Sequence, residues 1–141
     1  MVAARVSPRF DDVAVGDSLP TLDVVLTRTV IVSTAIASRD YTPVHHDYEI
    51  AVGQGSKDVF MNILSTNGFV GRFVTDWAGP DALMKRVAIR LGAPNYPGDT
   101  MHMTGTVTAK DAGAGTVEIA VRGANGLGDH VTGSVVLTLP R

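Results

Sequence analysis

The stretch 59-VFMNILSTNGFVGRFVTDWAGP-80 decides how the chain folds. Within it Val59, Phe60, Ile63, Leu64, Val70, Phe73, Val74 and Trp77 recur at spacings of three and four, the period of one face of an α-helix. Ser56 or Asp58 stands where a cap is needed, and Gly79-Pro80 ends the pattern. Phe73 and Trp77 are expected in a core. Ser65, Gly68 and Gly71 add small residues, so something must approach this helix closely, most simply a sheet lying against it.

The flanks supply that sheet. After the helix, Val87, Ile89 and Leu91 alternate with Arg86, Ala88 and Arg90, and Met101, Met103, Gly105 and Val107 alternate with His102, Thr104 and Thr106. Val117, Ile119 and Val121 follow the turn 111-DAGAG-115, and a last strand over about 130–139 follows 125-NGLGD-129. Before the helix, a strand over about 21–28 and a short helix over about 29–37 are expected, then a long ordered loop over 38–58 with a turn of helix near 48–52. One long helix and an antiparallel meander make an α+β layer, a sheet wrapped around a central helix. Such a sheet keeps one uncovered face, which a dimer would finish, with sheets joined edge to edge or helices facing.

With 141 residues, 45% of them hydrophobic, the chain is sized for one domain over 1–141. Twelve Lys and Arg against fourteen Asp and Glu, without a basic run, leave no footprint for nucleic acid. The absence of cysteine removes disulfides, thiolate zinc sites and cysteine nucleophiles. The start, MVAARVSPRFDDV, has no apolar stretch of leader length, and 30-VIVSTAIA-37 is too short to span a bilayer. A soluble cytoplasmic protein is the expectation.

The chemistry-bearing residues gather in 38-SRDYTPVHHD-47. Pro43 lacks a backbone donor and pushes Thr42 into an extended conformation, so Asp40 and His45 belong to a tight loop rather than one regular helix. Three readings stay open on these residues alone. The loop is a solvated turn in which His45, His46 and Asp47 face water or cap the next helical turn. It holds a metal through His45, His46 and Asp40 or Asp47, although adjacent histidines rarely point to one ion. Or Asp40 and His45 face a common point about one water apart, as general acid–base catalysis requires.

The run 40-DYTPVHHDYEIA-51 resembles the hydratase signature of the MaoC-like family, D-x-N-P-x-H followed by a small residue, with Asp40, Pro43, His45 and Ala51 in place. The pairs 16-GD-17 and 97-PGDT-100 fit the same pattern. The resemblance covers nearly the whole chain and implies the hot-dog fold. Four positions depart from it: the glycine before the aspartate is Arg39, the asparagine is Thr42, and the His-Gly opening the central helix is Asn62-Ile63. The strings 31-IVSTAIASRD-40, 54-QGSKD-58, 75-TDWAGP-80 and 126-GLGDHV-131 are similar to small subunits of two-component MaoC-like enoyl-CoA hydratases of bacterial steroid side-chain degradation.

That resemblance implies a trans-2-enoyl-CoA substrate with a bulky acyl group and a second MaoC-like subunit that completes the cleft, in a dimer or dimer of heterodimers. It implies no cofactor, because CoA is part of the substrate, and no metal. Asp40 and His45 would act on one bound water, His45 as leading base and Asp40 orienting it and exchanging the proton, the two titrating as a unit. An enolate oxygen is best met by a backbone N–H at the helix start, at Ile63 or Asn62, with Asn62 alternatively contacting substrate through its side chain. Gly55 of the polar loop joins them as a substrate-binding candidate.

His102 and His130 are expected at the surface, and Lys85, Arg86 and Arg90 on a solvated strand face. The competing readings are a homomeric general enoyl-CoA hydratase, a non-catalytic acyl-CoA-binding scaffold, and a thioesterase. The last is disfavoured because 59-VFMNILSTNGFVGRF-73 offers no carboxylate.

Overall fold

The computed structural model describes residues 6–141; the reading of the chain's first residues, as far as residue 5, and the domain span over the same five lie outside it. After a 3₁₀ turn at Phe10–Asp12 come β1 (Leu22–Val25), α1 (Arg28–Ala37), a second 3₁₀ turn at Pro43–His45, α2 (Tyr48–Gly53) and α3 (Ile63–Ala78). Then β2 (Leu83–Leu91), β3 (Thr100–Asp111), β4 (Thr116–Asn125) and β5 (Gly128–Thr138) follow as a run of strands. The sheet is antiparallel in the order β1-β3-β4-β5-β2, so the short β1 and the longer β2 are its edges. No helix among the described residues is long and apolar enough to cross a membrane.

Alternation does the sorting in β3. Met101, Met103 and Val107 are buried while His102, Thr104 and Thr106 face out. The inward set joins Ile119, Val121, Val135 and Leu137 in one core with Val70, Phe73 and Val74 of α3. Trp77, expected with them, is only half-buried at the rim. Gly105 makes the tight place: a Cβ there would stand 2.9 Å from the Phe73 ring. The small residues that admit close packing thus lie on the sheet. Gly68 and Gly71, expected to serve that purpose on the helix, have no atom within 4 Å of a would-be Cβ and turn away from it.

Two more expectations are corrected. The helix begins later than its period suggests, since Val59 and Met61 are buried in the extended segment before it, and the cap is Asn62, not Ser56 or Asp58. His130 is buried, not at the surface. The β4–β5 register explains it: Gly123 pairs with Val131 and Ala124 with Asp129, so His130 is an extra residue in β5. This bulge breaks the alternation and turns both His130 and Val131 inward.

Candidate active site

The end of α1 delivers Asp40. Ser38 is the C-cap, and the N–H groups of Arg39 and Asp40 donate to the carbonyls of Ile36 and Ala35, a helix-closing motif that needs a left-handed residue at position 39. Arg39 takes that conformation, with φ 58°, where a glycine would bear no Cβ strain. Asp40, Tyr41 and Thr42 then lead to Pro43, which opens the 3₁₀ turn ending at His45. Thr42 sits at φ −61° and ψ 123°, the extended geometry expected of the residue before proline.

These two devices bring the acid and the imidazole together. His45 Nε2 lies 3.6 Å from Asp40 Oδ2. His45 is nearly buried, whereas the Asp40 side chain keeps 20% exposure, enough for water to reach the carboxylate. The other imidazole nitrogen, Nδ1, is 2.7 Å from the carbonyl oxygen of Phe60. A carbonyl only accepts, so Nδ1 carries a proton and Nε2 is the ring nitrogen turned to the carboxylate. The Phe60 ring also meets the imidazole edge-on at 4.9 Å and fixes its plane.

Asp40 has its own supports. The Thr42 N–H donates to Oδ1 at 3.2 Å and the Asn62 amide donates to Oδ2 at 3.0 Å. Hydrogen bonding from the Thr42 side chain, from Asn62 and from the Thr42 backbone holds the carboxyl below its ordinary range, against a smaller opposing effect of burial. It is therefore ionised.

Asn62 is almost completely buried, and its side chain is engaged within the chain. Its amide N–H₂ also donates to Ser38 Oγ at 3.0 Å, while its oxygen accepts the N–H of Ser65 at 3.1 Å and the Ser65 hydroxyl. One residue thus caps α3 and holds Asp40. Ile63 follows as the first residue of α3, half-exposed, and its N–H belongs to the helix's unpaired first turn. Asp40, His45 and Asn62 therefore form one cluster, and Ile63 is Asn62's neighbour in the chain. Gly55 stands apart from this hydrogen-bonded set: at φ 94° it closes α2, with its N–H and that of Ser56 donating to Val52 and Ala51.

His46 turns away, its Nε2 3.1 Å from the Tyr41 carbonyl, and Asp47 caps α2 through Ile50 N–H. Among the described residues no group of three His, Asp or Glu is placed to hold a metal ion. Ser38 and Ser65 were missed in the sequence, as was the Phe60 carbonyl. A backbone acceptor leaves no trace in residue type, but a serine two positions before Asp40 was a usable sign.

Beside the cluster a groove of about 340 Å³ runs between α1 and α3, lined among others by Ala37, Ser38, Leu64, Ser65, Gly68 and Phe69. Lys85, Arg86 and Arg90 lie on the exposed edge strand, with Arg86 3.6 Å from Glu118. His102 is at the surface, 2.7 Å from Asp23.

A helix wrapped by a five-stranded antiparallel sheet, with an acid–imidazole pair beside the helix start, defines a hot-dog chain of hydratase type. The MaoC like domain family matches residues 12–125, and the chain belongs to that family. It is 53% identical over 125 residues, 89% of this chain and 95% of the relative, to the 3-oxo-4,17-pregnadiene-20-carboxyl-CoA hydratase beta subunit of Mycobacterium tuberculosis. Among solved structures, the ChsH1-ChsH2 complex from Mycobacterium tuberculosis contains a chain with 52% identity and a TM-score of 0.87, covering 89% of this chain and 98% of that one. R-Hydratase PhaJ1 from Pseudomonas aeruginosa shares the fold at a TM-score of 0.87 with 20% identity, over 96% of this chain and 87% of that one.

Proposed function

We propose that this chain hydrates a trans-2-enoyl-CoA thioester to the 3-hydroxyacyl-CoA, as the catalytic small subunit of a heteromeric hydratase that accepts a bulky, steroid-type acyl group. The observation that carries the reading is the Asp40–His45 pair, an imidazole Nε2 3.6 Å from an ionised carboxylate oxygen. That separation is longer than a hydrogen bond, and a water lying off the line between them can bond to both.

Hydration then proceeds without outside help. The water oxygen bonds to the β-carbon as His45 Nε2 takes one of its protons, while Asp40 accepts the other hydrogen bond and orients the water. The C=C electron pair moves onto the thioester as an enolate, whose oxygen is met by the N–H of Ile63 at the positive end of α3. As the enolate collapses, the α-carbon takes the proton from the imidazolium, directly or through Asp40. The sum is addition of one water, and His45 returns to its neutral form.

A scaffold role would not call for a carboxylate bonded from three sides and an imidazole anchored through Nδ1. A thioesterase would want a carboxylate along the helix, and the acid of α3 is Asp76 in its last turn. The steroid acyl group and the second subunit are supported by the names of the relatives at 53% and 52% identity.

The test follows loss of the conjugated enoyl-thioester absorbance, with a short-chain and a steroid enoyl-CoA, for the chain alone and co-expressed with a second MaoC-like subunit. Activity only with the partner and the bulky substrate is expected. Short-chain activity of the chain alone would replace this reading by a homomeric general hydratase, and inactivity in every arm would favour the scaffold.

A further inference from the structure

Behind the site runs a buried polar chain that the chemistry above does not use. The β5 bulge turns His130 inward, where it is only 2% exposed. Its Nδ1 is 2.7 Å from the carbonyl oxygen of Ala93, and its Nε2 is 2.8 Å from Oγ1 of Thr66, itself fully buried in the first turns of α3. The Ala93 carbonyl can only accept, so Nδ1 carries the proton and Nε2 accepts the Thr66 hydroxyl. Burial disfavours the imidazolium, which keeps the ring in this neutral form. The backbone clamps the same place, Gly92 N–H donating to the His130 carbonyl at 2.8 Å and Ala93 N–H to the Asp129 carbonyl at 2.8 Å.

Thr66 reaches the candidate site in one step. Its N–H donates to the Asn62 carbonyl at 3.2 Å, and Asn62 is the residue that caps α3 and holds Asp40. A bulge in an otherwise regular strand turns inward a polar side chain whose two ring nitrogens both find partners at hydrogen-bond distance. An apolar residue at position 130 would fill the space without fixing the rotation of the helix.

We propose that His130 is a positioning residue: through Thr66 it fixes the first turn of α3 on the sheet, so that Asn62 and the Ile63 N–H stay aimed at Asp40 and at the enolate oxygen. The inference rests on the acid–base reading of Asp40 and His45. It adds that the sheet, and not the polar loop alone, sets the geometry of the reacting centre.

The experiment uses the assembled complex with the steroid enoyl-CoA and compares Thr66→Val, Thr66→Ser, His130→Phe and Asp40→Asn. Thr66→Val keeps the shape and removes the hydroxyl. It is expected to lower kcat roughly tenfold to a hundredfold through a small displacement of the helix start, with KM changed by less than about twofold. Thr66→Ser should recover most of that loss, and His130→Phe should repeat it. An unchanged kcat in Thr66→Val, or a Ser variant as slow as the Val variant, would overturn the inference and leave a purely packing role. Asp40→Asn separates the two claims. If it is inactive while Thr66→Val is normal, only the role of His130 falls; if it is fully active, the acid–base reading falls with it.

Discussion

Asp40 shows how few residues are needed to set a charge. Its carboxylate is held down in pKa by bonds from Thr42 and Asn62, and the Asn62 amide is buried so deeply that water cannot replace it. Asn62→Ala removes that bond and the cap of α3 together. The cap alone is worth about 1 kcal/mol of stability. The carboxyl, losing a donor to its charged form, rises in pKa. A carboxyl whose folded pKa lies below its unfolded one stabilises the protein above the unfolded value, and that contribution is lost as pH falls through the folded value. Asn62→Ala should therefore lose more stability at neutral pH than in acid, measured by denaturant unfolding across pH. A loss that is even across pH would mean that only the cap, and not the charge of Asp40, depends on Asn62.

At the scale of elements, the site depends on how α1 ends and on how α3 meets the sheet. The end of α1 depends on a left-handed residue, and Arg39 supplies it under strain. Arg39→Gly should be neutral or stabilising by up to about 1 kcal/mol, the left-handed strain relieved being offset by glycine's greater unfolded freedom. Arg39→Val, branched at Cβ, should cost more than about 1 kcal/mol in denaturant unfolding. The contact of α3 with β3 depends on Gly105, where a methyl group would press on Phe73. Gly105→Ala should cost about 1–3 kcal/mol, the usual range for overpacking a core. A neutral Gly105→Ala in the same unfolding measurement would mean that the Phe73 ring has room to move.

The extended loop before Pro43 was readable because proline restricts both itself and Thr42. The start of α3 was not. Val59 and Met61 are as buried as the helix residues that follow, so hydrophobicity runs through the boundary, and only the hydrogen bonds of Asn62 mark it. His130 was misread for a related reason. Alternation assigns faces only while each residue pairs with one partner, and one inserted residue in β5 reversed the parity.

At the scale of the molecule, the α+β arrangement followed from two periods, the three-and-four spacing of α3 and the alternation of β2 to β5. The Asp40–His45 pair was visible as residue types near a proline. What no residue pattern carried was how the layer behind it assembles: Ser38, Asn62, Ser65, Thr66 and His130 come from three separate stretches of chain and meet only after α3 lies on the sheet. The folded chain also leaves surfaces for a partner, with β2 as an open edge and Ile63 and Leu64 half-exposed at the start of α3.

The first measurement to make is steady-state hydration of the steroid enoyl-CoA by the assembled complex carrying Asp40→Asn or His45→Gln, the pair to which we assign the chemistry. Each substitution is expected to lower kcat by about a hundredfold to ten-thousandfold, the range of a general acid–base group, and combining them should cost little more than either alone because they act on one water. Hydration at the wild-type rate by either variant, in complexes of unchanged assembly and fold, would contradict that assignment.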